Sequence, residues 1–212
     1  MKEIKGQPIK KIGGGAFHLS GDKIDTDRII PARFLTCTSF DALGPSVFAD
    51  DRSPMREKGL VHPFDDENSR GCNILVVRAE FGSGSSREHA PQALKFWGIE
   101  AIIGLSFAEI FAGSSVSIGL PCVTVSLQNH EWLIHGLDMG AFAVYIDLVK
   151  MEITVEHQFE SEPIKCFMPK THQKKLVEGK WDNLPALMAT PMSKVKVTIA
   201  RIPFLDMTAL AP

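Results

Sequence analysis

The chain has 212 residues, enough for one domain with a substantial core and too few for two sizeable ones. Hydrophobic residues make up 44% and charged residues 23%, a balance that excludes a disordered chain or a disulfide-dense scaffold. A formal net charge of −2 offers no broad footprint for nucleic acid or anionic membrane, so an anionic ligand must be held by a few local groups.

Residues 1–11 lack the apolar core of a signal peptide, and no later stretch is apolar enough to span a bilayer, so a cytosolic protein is expected. From Gly13, Gly14 and Gly15 the chain reads as a short strand that runs into an acidic turn holding Asp22, Asp25 and Asp27. Ile29, Ile30, Phe34 and Leu35 then anchor that turn. Residues 36–70 lose clear periodicity and hold Gly44-Pro45, Ser53-Pro54 and His62-Pro63. A loop of this length is either a flexible binding segment or a solvated insertion with a short helix.

The most regular part follows. Residues 73–79 form an apolar run of strand length, as expected of a buried parallel strand. A helix is expected over 91–97, closed by Gly98, then a strand at 101–104. A second helix is expected over 107–115 with Phe107, Ile110 and Phe111 on one face, and a third strand at 121–126. This is a β-α-β-α-β unit with right-handed crossovers. Residues 143–146, 152–157 and 194–199 carry the alternation or β-branching of further strands, whereas 165–183 is polar and without a clear period. The fold class is α/β, a mixed sheet around a parallel unit, in a single domain over 1–212 with no internal repeat.

The chemistry concentrates where the run at 73–79 gives way to a helix, through Gly82, Ser83, Gly84, Ser85, Ser86 and Arg87. Open α/β sheets bind ligands at the carboxyl ends of their strands. Glycines permit close backbone approach, helix-start N–H groups favour an anion, and the Arg87 fork suits a carboxylate or phosphate. The competing structural role is a capping box, Ser85 with Glu88, in which Ser85 only satisfies a helix N–H. Pro91 argues for a later helix start that leaves the serine turn free. Walker and GxGxxG patterns are both absent, and the serines do not sit in GxSxG. His89 reads as a helix-terminal packing residue, and Asp25 and Asp27 as turn formers.

The four cysteines, Cys37, Cys72, Cys122 and Cys166, lie far apart with no CxxC, and the seven histidines do not cluster. A metal or iron–sulfur site within this chain is therefore not expected.

Three blocks in order, Asp25-Thr26-Asp27-Arg28, then residues 81–91, then residues 106–111, resemble the small subunits of 3-isopropylmalate dehydratases and the mobile C-terminal domain of aconitase, over roughly residues 10–160. The resemblance implies a swivelling aconitase-type domain. It implies that Ser85 exchanges the proton on the substrate carbon, that Ser86 and Arg87 hold a substrate carboxylate, and that Asp27 belongs to the surround. It also implies a separate large subunit that carries a [4Fe–4S] cluster, since the cluster's cysteine set is missing here. Related members act on homoaconitate, citraconate or methylated malates. Thr36, where a homoaconitase-like relative carries an arginine for an extra carboxylate, favours an apolar tail such as isopropyl, and Arg33 is the alternative substrate contact in this segment. The remaining alternative is a non-catalytic anion-binding module of the same fold.

Overall fold

The fold was obtained as a computed structural model and describes residues 7–36, 40–85, 87–139, 143–156 and 162–182. Strand β1 (Lys11–Leu19) is the hinge of the architecture, because its two halves pair with different partners. Residues 16–19 run parallel to β2 (Ile74–Val77), while residues 11–15 run antiparallel to β5 (Ala143–Asp147). Parallel pairing continues through β3 (Ala101–Gly104) to β4 (Cys122–Thr124). Antiparallel pairing continues through β6 (Glu152–Glu156) to β7 (Ile164–Lys165). The sheet order is β4-β3-β2-β1-β5-β6-β7, a mixed sheet built on the expected parallel unit.

Both faces of the parallel half are covered, which is why β2 and β3 read as continuous apolar runs. Leu75 and Val77 point into one core with Phe17, Leu94 and Ile102. Ile74 and Val76 point into the other with Ile103, Val144 and Leu133. Helix α3 (His89–Trp97) covers the first face, and α5 (Leu127–Met139) and α6 (Lys170–Val177) cover the second. The solvated antiparallel strands β5 and β6 instead alternate buried and exposed positions. Gly14 of β1 leaves room for the Asn73 side-chain amide, which a Cβ there would displace.

Between residues 40 and 70, where the sequence lacks a period, the chain carries 3-10 turns at Phe40–Ser46 and Glu67–Ser69 and helix α2 (Ala49–Glu57). Its core anchors, Leu43, Val47, Phe48 and Phe64, are irregularly spaced. Phe64 joins an aromatic cluster with Phe17 at 5.1 Å, Phe48 at 4.9 Å and Trp97 at 4.7 Å between ring centroids. Helix α2 itself buries no side chain. Polar ties hold it instead: Arg52 donates to Asp65 at 2.5 Å and to the Val47 carbonyl at 3.0 Å. The Arg52 guanidinium lowers the Asp65 carboxyl below its ordinary value. The polar segment at 165–183 resolves into the end of β7 and α6, whose inward residue is Leu176. The strand expected at 194–199 and Cys37 lie outside the described residues. No helix among the described residues is long and apolar enough to cross a membrane.

Two histidines under the sheet set an acid limit on stability. His130 is fully buried, and its Nε2 lies 2.6 Å from the Val77 carbonyl, so Nε2 carries the proton that it donates there. Its Nδ1 and the Nε2 of His18 have no hydrogen-bond partner among the described residues, and the two rings stand 6.4 Å apart. Burial is the main cause lowering both pKa values; His18 is lowered further by the neighbouring His130 against an upward pull from Asp138, and His130 by Arg78 against the upward effect of its Val77 hydrogen bond. An unfolded histidine takes up a proton near pH 6.5. The unfolded state therefore binds more protons as pH falls below that value, and stability falls with it, by up to about 1.4 kcal/mol per pH unit for each suppressed site. Thermal midpoints measured between pH 7.5 and 5.5 should drop toward acid, and His130→Gln should flatten the drop. An unchanged slope in that variant would remove His130 from the cause.

Candidate active site

The serine turn follows β2 and is laced to the chain on both sides. Toward the acidic turn, the Lys23 N–H donates to the Ala79 carbonyl at 2.8 Å and the Gly82 N–H to the Ile24 carbonyl at 2.8 Å. The Thr26 N–H donates to the Ser83 carbonyl at 2.9 Å, and the Thr26 hydroxyl to the Ser85 carbonyl at 3.0 Å. On the other side, the Phe81 N–H donates to the Ser106 carbonyl at 3.2 Å, and the Ala108 N–H to the Phe81 carbonyl at 3.0 Å. The three sequence blocks thus meet edge to edge. Gly82, at φ +78°, lies directly under the Phe111 ring, where any Cβ would collide. Phe111 also packs edge-on against Phe81 at 5.3 Å.

The helix after the turn starts at His89, two residues before the start expected from Pro91. Pro91 is tolerated because the first-turn N–H groups have no partner within a helix. The capping box does not form. Glu88 occupies the cap position in helical conformation with no side-chain cap bond. Ser85 lies further upstream, exposed, and its hydroxyl has no hydrogen-bond partner among the described residues. Its carbonyl is fixed by Thr26 while the hydroxyl stays free. His89 packs edge-on against Phe40 at 5.1 Å, a packing role.

Of the acidic turn, Asp25 caps α1 (Thr26–Ile29) by accepting from the Arg28 N–H at 2.8 Å. Asp27 instead reaches across to Arg87, with Oδ1 2.5 Å from Nη1. That contact is an ion pair without hydrogen-bond geometry, since the buried Nη1 has no hydrogen-bond partner among the described residues, so charge and not a directed bond holds the guanidinium toward Asp27. Arg33 is engaged elsewhere: its fork meets Asp50 at 2.9 and 2.5 Å, and it stacks over Phe34 at 4.6 Å. Ser86 lies outside the described residues.

Ser85 and Arg87 share a cavity of about 270 Å³ with Thr26 and Gly84 on one side and Ala108, Glu109, Ile110 and Phe111 on the other. The second wall is the start of α4 (Glu109–Ser117). Here the reading of one apolar face fails for Ile110. Phe111 is buried at 3% exposure, whereas Ile110 is 58% exposed at the cavity, because the helix starts at Glu109 and turns Ile110 away from the core. Sequence reasoning also missed Thr26, which is 2% exposed and ties the serine turn down, and its only signal was its place between two aspartates.

The described cysteines do not fit a cluster. Cys72, Cys122 and Cys166 are each buried and free, and burial pushes the Cys122 and Cys166 thiols up to about 12. Thiols so disfavoured from ionising are poor metal ligands.

Comparison with known proteins places the site in context. The aconitase C-terminal domain family matches residues 9–128. A 3-isopropylmalate dehydratase small subunit from Synechocystis sp. is 43% identical over 198 residues, covering 93% of this chain and 95% of the relative. The corresponding small subunit from Thermus thermophilus is 43% identical over 178 residues, covering 84% of this chain and 87% of its own. The crystal structure of a 3-isopropylmalate dehydratase from Methanocaldococcus jannaschii superposes with a TM-score of 0.62 at 30% identity, over 88% of this chain and 98% of that one. With the fold and relatives matched over most of their length in agreement, the chain belongs to the 3-isopropylmalate dehydratase small-subunit family, built on the aconitase C-terminal domain.

Proposed function

We propose that this chain is the small subunit of a cytoplasmic hydro-lyase that interconverts 2-isopropylmalate and 3-isopropylmalate through isopropylmaleate in leucine biosynthesis. The observation that carries the reading is the free Ser85 hydroxyl beside the Arg87 fork in one cavity. Ser85, as alkoxide, takes the proton from the substrate carbon, and the hydroxyl on the neighbouring carbon departs as hydroxide, leaving isopropylmaleate and the protonated Ser85 hydroxyl. Readdition of hydroxide to the carbon that lost the proton, with the Ser85 proton delivered to the other carbon, completes the isomerisation and restores the alkoxide. A serine alkoxide is a costly base, so it needs positive charge and oriented donors nearby. Arg87 supplies the charge, held by Asp27, and Ser86 with the turn backbone supplies donors to a substrate carboxylate. Arg33 reaches substrate only by exchanging it for Asp50.

The departing hydroxyl needs a Lewis acid, which we assign to a [4Fe–4S] cluster on a separate large subunit. No step performed by this chain's own residues runs through it. The test is anaerobic hydration of isopropylmaleate by this chain mixed with the cluster-bearing large subunit, with each component alone as control. Turnover is expected in the mixture only. A mixture with an intact cluster that leaves isopropylmaleate untouched would overturn the substrate assignment.

A further inference from the structure

Between the end of β2 and Ser85 the chain turns left-handed first at Glu80, with φ +55°, and again at Gly82 and Gly84. Glycine accepts such a backbone freely, whereas glutamate rarely adopts it, so the surrounding bonds must hold Glu80 there. The Glu80 side chain reaches only Lys23, at 3.7 Å with both groups well exposed, and a solvated pair of this kind does not hold a backbone.

The four N–H groups from Ala79 to Gly82 all have partners. Phe81 and Gly82 donate to the backbone carbonyls of Ser106 and Ile24, bonds that no side-chain substitution removes. The two at the left-handed step go to side chains instead. The Ala79 N–H donates to the Asp22 carboxylate at 3.0 Å, and the Glu80 N–H donates to the Ser106 hydroxyl oxygen at 2.8 Å. Asp22 is itself oriented, with Oδ1 3.4 Å from Arg78 Nε, while Arg78 Nη1 donates to Glu131 of α5 at 3.1 Å. The Lys23 N–H grips the Ala79 carbonyl at 2.8 Å, so Ala79 is held on both sides. Neither side-chain bond touches Ser85; both act through the backbone that leads to it.

We propose that Asp22 and Ser106 are positioning residues for the Ser85 base, which together hold Glu80 left-handed and so fix the course of the turn that presents the hydroxyl. The inference rests on Ser85 as base in the isopropylmalate reading and adds the residues that aim it. Arg87 has its own tie to Asp27, so loss of either support misplaces the hydroxyl more than the carboxylate clamp. A misplacement of about 1 Å can cost about 10²-fold in rate, and relaxation at one residue should cost about tenfold.

The test uses the full chain assembled with its cluster-bearing large subunit and isopropylmaleate as substrate. Asp22→Ala and Ser106→Ala should each lower kcat about tenfold with KM within about twofold, and amide hydrogen exchange over residues 79–85 should quicken. Asp22→Asn and Ser106→Thr keep an acceptor for the same N–H and should retain most of kcat. Asparagine adopts a left-handed backbone more readily than glutamate, so Glu80→Asn added to either alanine variant should restore kcat to within about threefold of wild type. Alanine variants with unchanged kcat beside an active wild type would overturn the positioning role alone. So would a loss that Glu80→Asn leaves uncorrected, or one that only follows the thermal midpoint. A wild-type complex inactive on isopropylmaleate, or a Ser85→Ala complex with full turnover, would overturn the underlying reading and the positioning role with it.

Discussion

Replacing Ser85 with alanine should reduce turnover of isopropylmaleate in the assembled complex by about 10³-fold or more while leaving the fold intact. The catalytic half of this expectation follows from the unpartnered Ser85 hydroxyl in the same cavity as Arg87, the one cation among the described residues lining it. The structural half follows from what the side chain does not do. The Ser85 carbonyl, which alanine retains, accepts from Thr26, and the hydroxyl caps no helix. Loss of a serine cap costs about 1 kcal/mol, which in a chain of this size moves the thermal midpoint by about 2–4 °C. A midpoint held within about 1 °C together with lost turnover supports the base. A shift of the size of a lost cap, with turnover retained, would return Ser85 to a structural role.

The parts of the molecule legible in the sequence are those where burial imposes a period. Residues 74–77 are buried on both faces and read as an unbroken apolar run, and β5 and β6 alternate because one face is solvated. The serine turn was legible for a different reason: glycines, hydroxyls and an arginine between an apolar run and a helix leave few roles open. Where the sequence misled, tertiary contacts replaced periodicity. Helix α2 is held by Arg28 to Asp51, Arg33 to Asp50 and Arg52 to Asp65, so it has no apolar stripe to read. Helix α5 buries His130 and Leu133 while exposing Leu127, Trp132 and Met139, which inverts the usual inside-outside signal. Ile110 looked like core because it neighbours Phe111, and only the helix start decides which way each points.

Arg87 is the second position where a large effect is expected, and the contrast between stability and catalysis is what tests its role. The guanidinium is 21% exposed and its Asp27 partner 53%, so the pair is open to solvent and worth no more than about 0–1 kcal/mol to the fold. Arg87→Lys should therefore move the thermal midpoint by only a few degrees. Catalysis asks more of the same side chain. It must keep its charge against Asp27 and present its donors to a carboxylate, a division that a planar fork allows and a point charge does not. The expected loss in kcat/KM for Arg87→Lys is about 10²-fold, within the range for removal of a preorganised donor to developing charge. Asp27→Asn keeps the shape and weakens the anchor, so its loss should be smaller, about tenfold, and appear partly in KM. If lysine worked within threefold of arginine, a clamp would be the wrong description, and a general positive field would suffice to stabilise the Ser85 alkoxide. If the two substitutions lost activity only in step with their thermal midpoints, the Arg87–Asp27 pair would be a brace for the serine turn with no direct part in binding.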